Sequence, residues 1–536
     1  MRLTVLAAAG ALVLSACVTQ AGSSPAASVS AAAPAITAEA IEAHIRFLAD
    51  DLMEGRDAGS RGYQIAANYV ESQFRVIGLE PGGTHGYRAP VPLQTLQSVP
   101  ELAGFAIDDE SMTPGEHFIV SAHAVHDESR IEAQAVFAGF GLVAPGLGIN
   151  DYEGLDAEGK IVVVLAGAPA GLPSDVSAHL NSGRTKAAFA AEAGAAGLIT
   201  IPAQGLTRFS YARMAAFAGS GRASMTTAAS ADPESLRVSA AISESAAARL
   251  FANAPESFEA VLDAARSGAP VARFALGADV MLSQGTTRET IHDDNVVGVL
   301  PGSDPALADE TVIITAHLDH IGICRPDMEN AICNGALDNA SGTAIMLETA
   351  RALAAGPRPR RSVVFIALAA EEKGLLGSAH IAANPTPAMG DMTANINLDM
   401  PVILYEFNDL VAFGAEHSTL GPLAGAAAGA HGVSLTPDPL PDQALFVRSD
   451  HYNFVRQGVP SLFLMTGFSS PDEADDEGRG FLRFLGGNYH QPGDDLNQPL
   501  RFDQGARFAD INLAIIRAAA NADARARWNE DSFFAR

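Results

Sequence analysis

The side chains best able to do chemistry in this sequence fall at the ends of apolar runs. His317 and Asp319 follow the run 312–316, with His320 next; Asp338 stands in the small-residue turn 335–342. Glu371 and Glu372 end the run 362–370, Asp399 ends 395–398, and His490 lies in the glycine- and proline-rich stretch 486–494. His317, Asp338, Glu372, Asp399 and His490 are two imidazoles and three carboxylates. That donor set suits zinc and, less selectively, manganese or cobalt, with no need of cysteine. One carboxylate can bridge two such ions about 3.5–4 Å apart, which acidifies a water shared between them. Glu371 and Glu372 can divide the work, because neighbouring side chains in extended or turn backbone point apart: one binds metal, the other faces the water as general base. Asp338 alone also fits a plainer reading, a surface loop in which Asn339 or Ser341 caps the following helix.

What must position these groups is a buried sheet. Residues 312–316 and 362–370 are short, apolar and rich in β-branched side chains, the pattern of strands covered on both faces, and 395–399 is a third run ending in a carboxylate. In open α/β sheets, ligands collect in the crevice beyond the carboxyl ends of parallel strands, where loops rest on a rigid frame yet meet solvent. Residues 343–353 read as the helix after the Asp338 turn. Residues 295–300 and 311–316, separated by Pro301-Gly302-Ser303-Asp304, read as a hairpin-like pair. Nearer the start, Thr37 is an N-cap for a helix that sets Ile41, Ile45, Leu48 and Leu52 on one face. Residues 63–76 form a second helix after a glycine-punctuated loop, whose Arg56 and Arg61 are expected in solvent. The acidic run 471–478 is likewise expected as a solvated loop.

The blocks HLDH, GALDNASGT, ALAAEEKGLLGS, NINLDM and YHQPGDDL occur in that order and resemble the M28 family of co-catalytic zinc aminopeptidases, over residues 36–83 and from 295 to the C-terminus. The resemblance implies an α/β fold with a mixed, mostly parallel central sheet, helices on both faces, and two Zn2+ per chain. It implies His317 and Asp399 on one zinc, Glu372 and His490 on the other, and Asp338 bridging them. Glu371 becomes the general base and Asp319 the carboxylate that orients His317. A cis peptide between Asp338 and Asn339 is a further implication. The block Ser449-Asp450-His451 matches a family segment in which some members carry tyrosine last, which makes His451 the expected stabiliser of the oxyanion. The reaction expected is hydrolytic removal of N-terminal residues from peptides. A carboxypeptidase, a single-zinc glutaminyl cyclase and a non-catalytic peptide-binding protein are the alternatives. No Gly-x-Ser-x-Gly turn supports a serine hydrolase.

Between these parts the texture changes. Residues 106–277 hold short β-rich runs at 135–138, 160–165 and 197–201 and an alanine-rich helix at 185–193. The blocks VFAGFGL, INDYEGLDAEGKIVVVLAG and KAAFAAEAGAAGLITI resemble the protease-associated (PA) domain, a small β-rich module. His117, His123, His126 and His179 are scattered without metal spacing and are expected at the surface. The organisation that follows is a signal segment 1–17, a tether 18–35, peptidase parts 36–105 and 278–536, and the insert 106–277.

Composition limits the partners. The chain has 536 residues, 48% of them hydrophobic, enough for more than one core. Its 34 basic and 62 acidic residues leave a net charge of −28, which disfavours nucleic acid and anionic membranes as partners. Met1-Arg2, the apolar stretch 3–14 and Leu14-Ser15-Ala16-Cys17 resemble a bacterial lipobox. Export to the periplasm or outer surface follows, with a lipid anchor at Cys17 as the sole membrane contact; an ordinary cleaved signal peptide is the alternative. The other two cysteines, Cys324 and Cys333, are expected to pair in an exported protein and close a loop between His317 and Asp338; two buried free thiols are the alternative. Nothing in the sequence sets an oligomeric state.

Overall fold

A strand that is apolar on both faces is stable only where both faces are covered. Glu310–His317 and Ser362–Leu368 meet that condition, being buried from Thr311 to His317 and from Ser362 to Leu368 in the computed structural model. The structure describes residues 35–535 apart from 208–209, 217, 219–220 and 227–231. The signal segment, its Cys17 and nearly all of the tether lie outside the described residues.

Alternate side chains of the two strands go to opposite layers. Val312, Ile314, Ala316, Val363, Phe365 and Ala367 join one core with the helices Ala38–Leu48, Arg61–Ile77, Ser341–Ala355 and Phe502–Asn521. Ile313, Val364, Ile366 and Leu368 join the other, against Ile381, Ala382 and Phe454 of the helices Leu376–Ala383 and His451–Arg456. In space the sheet runs from Arg88–Ser98 through the end of Phe274–Leu300, Ser362–Leu368, Glu310–His317, Asp391–Leu398, Ser461–Thr466 and Asp409–Phe413 to Ser434–Thr436. The four strands from Ser362–Leu368 to Ser461–Thr466 are parallel, so their carboxyl ends share one edge. This is the mixed, mostly parallel sheet with helices on both faces that the sequence leads one to expect.

The hairpin does not form. Ser362–Leu368 lies between residues 296–300 and Glu310–His317. The link 301–309 is too long for a tight hairpin turn. Its amides at Ser303 and Asp304 are taken instead by the carbonyls of Pro359 and Arg360, on the chain that leads into the intervening strand. Helix Ala38–Leu48 is capped by Thr37 as expected but stops before Leu52, which is 80% exposed.

Phe274–Leu300 is one strand of 27 residues. Its second part belongs to the sheet above; residues 274–285 belong to a second sheet, so the expected insert boundary at 277 falls inside it. There Gly104–Ile107 and Glu128–Phe137 flank it antiparallel. Ile161–Leu165, Gly197–Ile201 and Val238–Ile242 follow in parallel, and Phe118–Val120 closes the edge. This sheet has its own cores, around Phe137, Val163, Ile199 and Ile242 on one face and Val136, Val162, Val164 and Ala190 on the other. Of its histidines, His123 is buried rather than exposed, because its Nδ1 accepts the amides of Val125 and His126 and ties down that turn.

Cys324 and Cys333 are joined by a disulfide with a Cα–Cα distance of 5.7 Å. Among the described residues, no helix is long and apolar enough to cross a membrane.

Candidate metal centre

The parallel strands deliver acids and imidazoles to their common edge. His317 is the last residue of Glu310–His317, Asp399 follows Asp391–Leu398, and Glu371 and Glu372 lie in the turn after Ser362–Leu368. Asp338 arrives on a tight turn opened by Gly335, whose φ of 61° belongs to the left-handed region and whose missing side chain leaves room for the His320 ring. The peptide between Asp338 and Asn339 is cis. The Asn339 carboxamide holds the turn in place, accepting the amides of Gly342 and Met400 and donating to the Leu398 carbonyl.

The two oxygens of Asp338 face two different groups. Oδ1 lies 3.2 Å from His317 Nε2, which is itself 3.1 Å from Asp399 Oδ1. Oδ2 lies 3.1 Å from His490 Nε2, itself 3.2 Å from Glu372 Oε2. Thus His317, Asp338, Glu372, Asp399 and His490, scattered along the sequence, come together with Asp338 in the middle. The donor atoms of His317, Asp338 and Asp399 all lie within 4.8 Å of one another, as do those of His320, Asp338 and Glu372. His320 Nε2 is buried and makes no hydrogen bond, a costly state for a ring nitrogen unless a cation takes the lone pair, and His490 Nε2 faces only the carboxylate oxygens of Asp338 and Glu372. The nitrogen–oxygen donor set and this orphaned nitrogen fit zinc.

A shell of hydrogen bonds aims the donors. The Asp319 carboxylate accepts the amides of Glu371 at 3.0 Å and Glu372 at 3.2 Å. It reaches His317 less directly: the His317 ring contacts the Asp319 main-chain carbonyl at 3.1 Å, with the carboxylate 4.0 Å away. Asp319 therefore positions the glutamate turn through its side chain and His317 through its backbone. The Ser449 hydroxyl donates to Asp399 and receives a bond from Asn397. Asp494 accepts the amides of Leu337 and Asp338, each at 3.0 Å, and burial pushes its pKa up to about 6.

Burial, assisted by the negative charges of Glu372 and Asp399, holds the Glu371 carboxyl well above its usual range against the pull of His317. Burial would also raise Asp338, but hydrogen bonds with His317 and His490 outweigh it and hold that carboxyl well below. Two neighbouring acids of opposite tendency suit one to carry a proton and the other to stay ionised. Glu371 opens on two spaces. One is a narrow recess walled by Met400, Leu445, Phe463 and Met465; the other is a wider cleft that also contains Glu372 and His490.

His451 lines neither space. Its ring packs at 5.1 Å from Phe446 and 5.2 Å from Phe463, both nitrogens lack partners, and burial lowers its pKa to about 3. Tyr489, to which the sequence assigns no role, lines both spaces, stacks on His490 at 3.9 Å and receives a hydrogen bond from Arg448. His320, to which the sequence assigns no ligand role, shares a 2.7 Å hydrogen bond from its Nδ1 with Glu372. Arg56, expected in solvent, is fully buried: its guanidinium donates to the carbonyls of Leu48, Leu318, Asn334 and Gly335, pinning the loops that carry His317 and Asp338.

Comparison with known proteins agrees with this geometry. Residues 295–516 match Peptidase family M28. A probable zinc metalloprotease of Pyrenophora tritici-repentis is 47% identical over 66 residues, 12% of this chain and 15% of that protein. Aminopeptidase YwaD of Bacillus subtilis is 36% identical over 107 residues, 20% of this chain and 21% of its own length. The alignments thus span a small share of either relative. Among solved structures, the aminopeptidase from Aneurinibacillus sp. strain AM-1 superposes with a TM-score of 0.50 at 21% identity, covering 93% of this chain and 97% of that one. Residues 295–516 are therefore similar to Peptidase family M28, and the overall fold is that of the Aneurinibacillus aminopeptidase.

Proposed function

We propose that the protein is a zinc-dependent exopeptidase, an aminopeptidase that holds two Zn2+ per chain. The observation that carries this reading is the division of Asp338: one oxygen faces His317 and Asp399, the other His490 and Glu372, with Glu371 beside them. Zinc at these positions supplies Lewis acidity toward a carbonyl oxygen and a water. Glu371, half-buried where both spaces meet, takes the proton of the attacking water and returns it to the leaving amine. Asp319 keeps Glu371 and Glu372 in register by bonding both their amides. The recess of Met400, Leu445, Phe463 and Met465 receives an apolar side chain of the residue being released.

The same reading makes the substrates peptides and leaves nucleic acid out, on the ground of the acidic balance. It takes the lipobox-like start as an export signal with a lipid anchor at Cys17, and residues 106–277 as a PA-like module, both on their sequence blocks.

Hydrolysis of leucine 4-nitroanilide, its loss in EDTA, its return with zinc and a metal count per chain test the reading together. Two zinc ions and release of nitroaniline are expected. A protein that binds two zinc ions yet releases nothing from any aminoacyl reporter sinks it, and one ion with ring closure of N-terminal glutamine points to the cyclase chemistry instead.

A further inference from the structure

The two spaces that open on Glu371 differ in the cations they meet. The recess adds Arg448 alone to His317, Asp338, Asp399 and its apolar walls, whereas the cleft, of 360 Å3, is lined by Glu371, Glu372 and His490 and brings in two guanidiniums, Arg184 and Arg448. Arg448 lies on the loop just before Ser449; Arg184 comes from the helix Gly183–Glu192, which belongs to the second sheet's side of the molecule. Both are half-buried. Among the described residues, neither has a carboxylate partner. Arg448 donates to the Tyr489 hydroxyl at 3.2 Å and the Gln443 carbonyl at 3.5 Å. The acid whose charge reaches Arg184, Asp232, is engaged by Arg222 and by the Ala124 amide.

In a chain with net charge −28, two half-buried guanidiniums that form no ion pair among the described residues, although Glu371 and Glu372 line the same cleft, call for an anion from outside. Burial strips water from each, and the planar fork of donors matches the two oxygens of a carboxylate. Resting on the exopeptidase reading, we propose that this cleft holds the leaving part of the substrate and that Arg184 and Arg448 bind a carboxylate there. The favoured substrates are then short peptides, dipeptides and tripeptides, in which that carboxylate lies within a residue or two of the scissile bond. An extended residue spans about 3.5 Å, so a cleft of this volume takes one or two residues beyond the bond. The helix that bears Arg184 thereby becomes part of the substrate site.

The carboxylate has two possible sources, the C-terminus of a short peptide or an acidic side chain next to the bond. The test compares kcat/KM of the zinc-loaded full chain for Leu-Gly, Leu-Gly-amide and Leu-Glu-amide. One charge-assisted contact predicts a preference of about ten- to a hundredfold for a carboxylate-bearing substrate over Leu-Gly-amide, carried mainly by KM. Preference for Leu-Gly assigns the C-terminal carboxylate, and preference for Leu-Glu-amide the side chain. Arg184→Ala should bring the ratio close to one, while Arg184→Lys retains part of it. Equal rates on all three substrates by the wild-type protein overturn the proposal without requiring any variant to fold. Leucine 4-nitroanilide separates the two failures: if it is cleaved, only this inference falls; if not, the exopeptidase reading falls with it.

Discussion

The two sheets of this molecule place parallel strands side by side, and their carboxyl edges meet opposite fates. In the second sheet, the loops after Glu128–Phe137 and Ile161–Leu165 are closed by Lys186. Its buried ammonium donates to the carbonyls of Phe140, Leu165 and Gly167 at 2.5, 3.0 and 2.8 Å. Every charge-assisted bond there ends on the protein's own backbone. In the first sheet, the same edge carries His317, Glu371, Glu372 and Asp399, and the Nε2 of His320 is left with no hydrogen-bond partner. Strand order creates a crevice in both places. Whether the crevice becomes a site depends on whether its polar groups are satisfied from within.

That contrast can be broken most forcefully at the open edge. Asp338→Ala removes the shared carboxylate and should abolish zinc binding along with activity. Glu371→Gln should keep the metal and lose about 10²–10⁴-fold in turnover, read by elemental analysis alongside nitroanilide kinetics. Retained turnover in the second variant removes the general base. At the closed edge the expected effect is on stability. Lys186→Met leaves three buried carbonyls without a donor and should cost about 3 kcal/mol in urea unfolding, with zinc content unchanged because Lys186 touches no ligand. A large loss of zinc in that variant would show that the two edges are not independent.

Two smaller tests sharpen the comparison. The Cys324–Cys333 bridge spans nine positions between His317 and Asp338, so replacing both cysteines by serine should cost about 2.5 kcal/mol through loop entropy. Metal affinity should fall as well, since this loop borders the Asp338 turn. The buried carboxylate of Glu348 shows how a satisfied acid behaves. Burial raises its pKa, but bonds from His44 and Arg351 outweigh that and bring it to about 2. A lowered acid contributes its full stability above the unfolded value of 4.5 and loses it as pH falls through about 2. Glu348→Gln should therefore cost about 1 kcal/mol at neutral pH, a difference that melting curves should find shrinking to nothing near pH 2.

Much of the centre was legible because each of its donors closes a strand or a turn, where local pattern is strong. His317, Asp399 and the Glu371-Glu372 pair follow apolar runs, and Asp338 and His490 sit among turn formers. The supporting groups leave no such trace. Arg56 gathers carbonyls from residues 48, 318, 334 and 335, a partnership that only tertiary structure creates. Arg184 enters the cleft from the other sheet's side, and no spacing in the sequence connects it to Glu371. His451 is the reverse case. Its block was easy to read, but the orientation of its ring is set by packing against Phe446 and Phe463. The hairpin between residues 295–300 and 311–316 misled for a related reason, since adjacency along the chain cannot reveal a third strand lying between two neighbours.

The strand Phe274–Leu300 gives the molecule a mechanical property that neither sheet has alone. Its first half is woven into the sheet next to the Arg184 helix. Its second half reaches Asn295, whose carboxamide accepts the Ala369 amide and donates to the Gly377 carbonyl, clasping both sides of the turn that bears Glu371. A displacement of the second sheet is therefore carried along one covalent ribbon to the residues that hold the Glu371 turn.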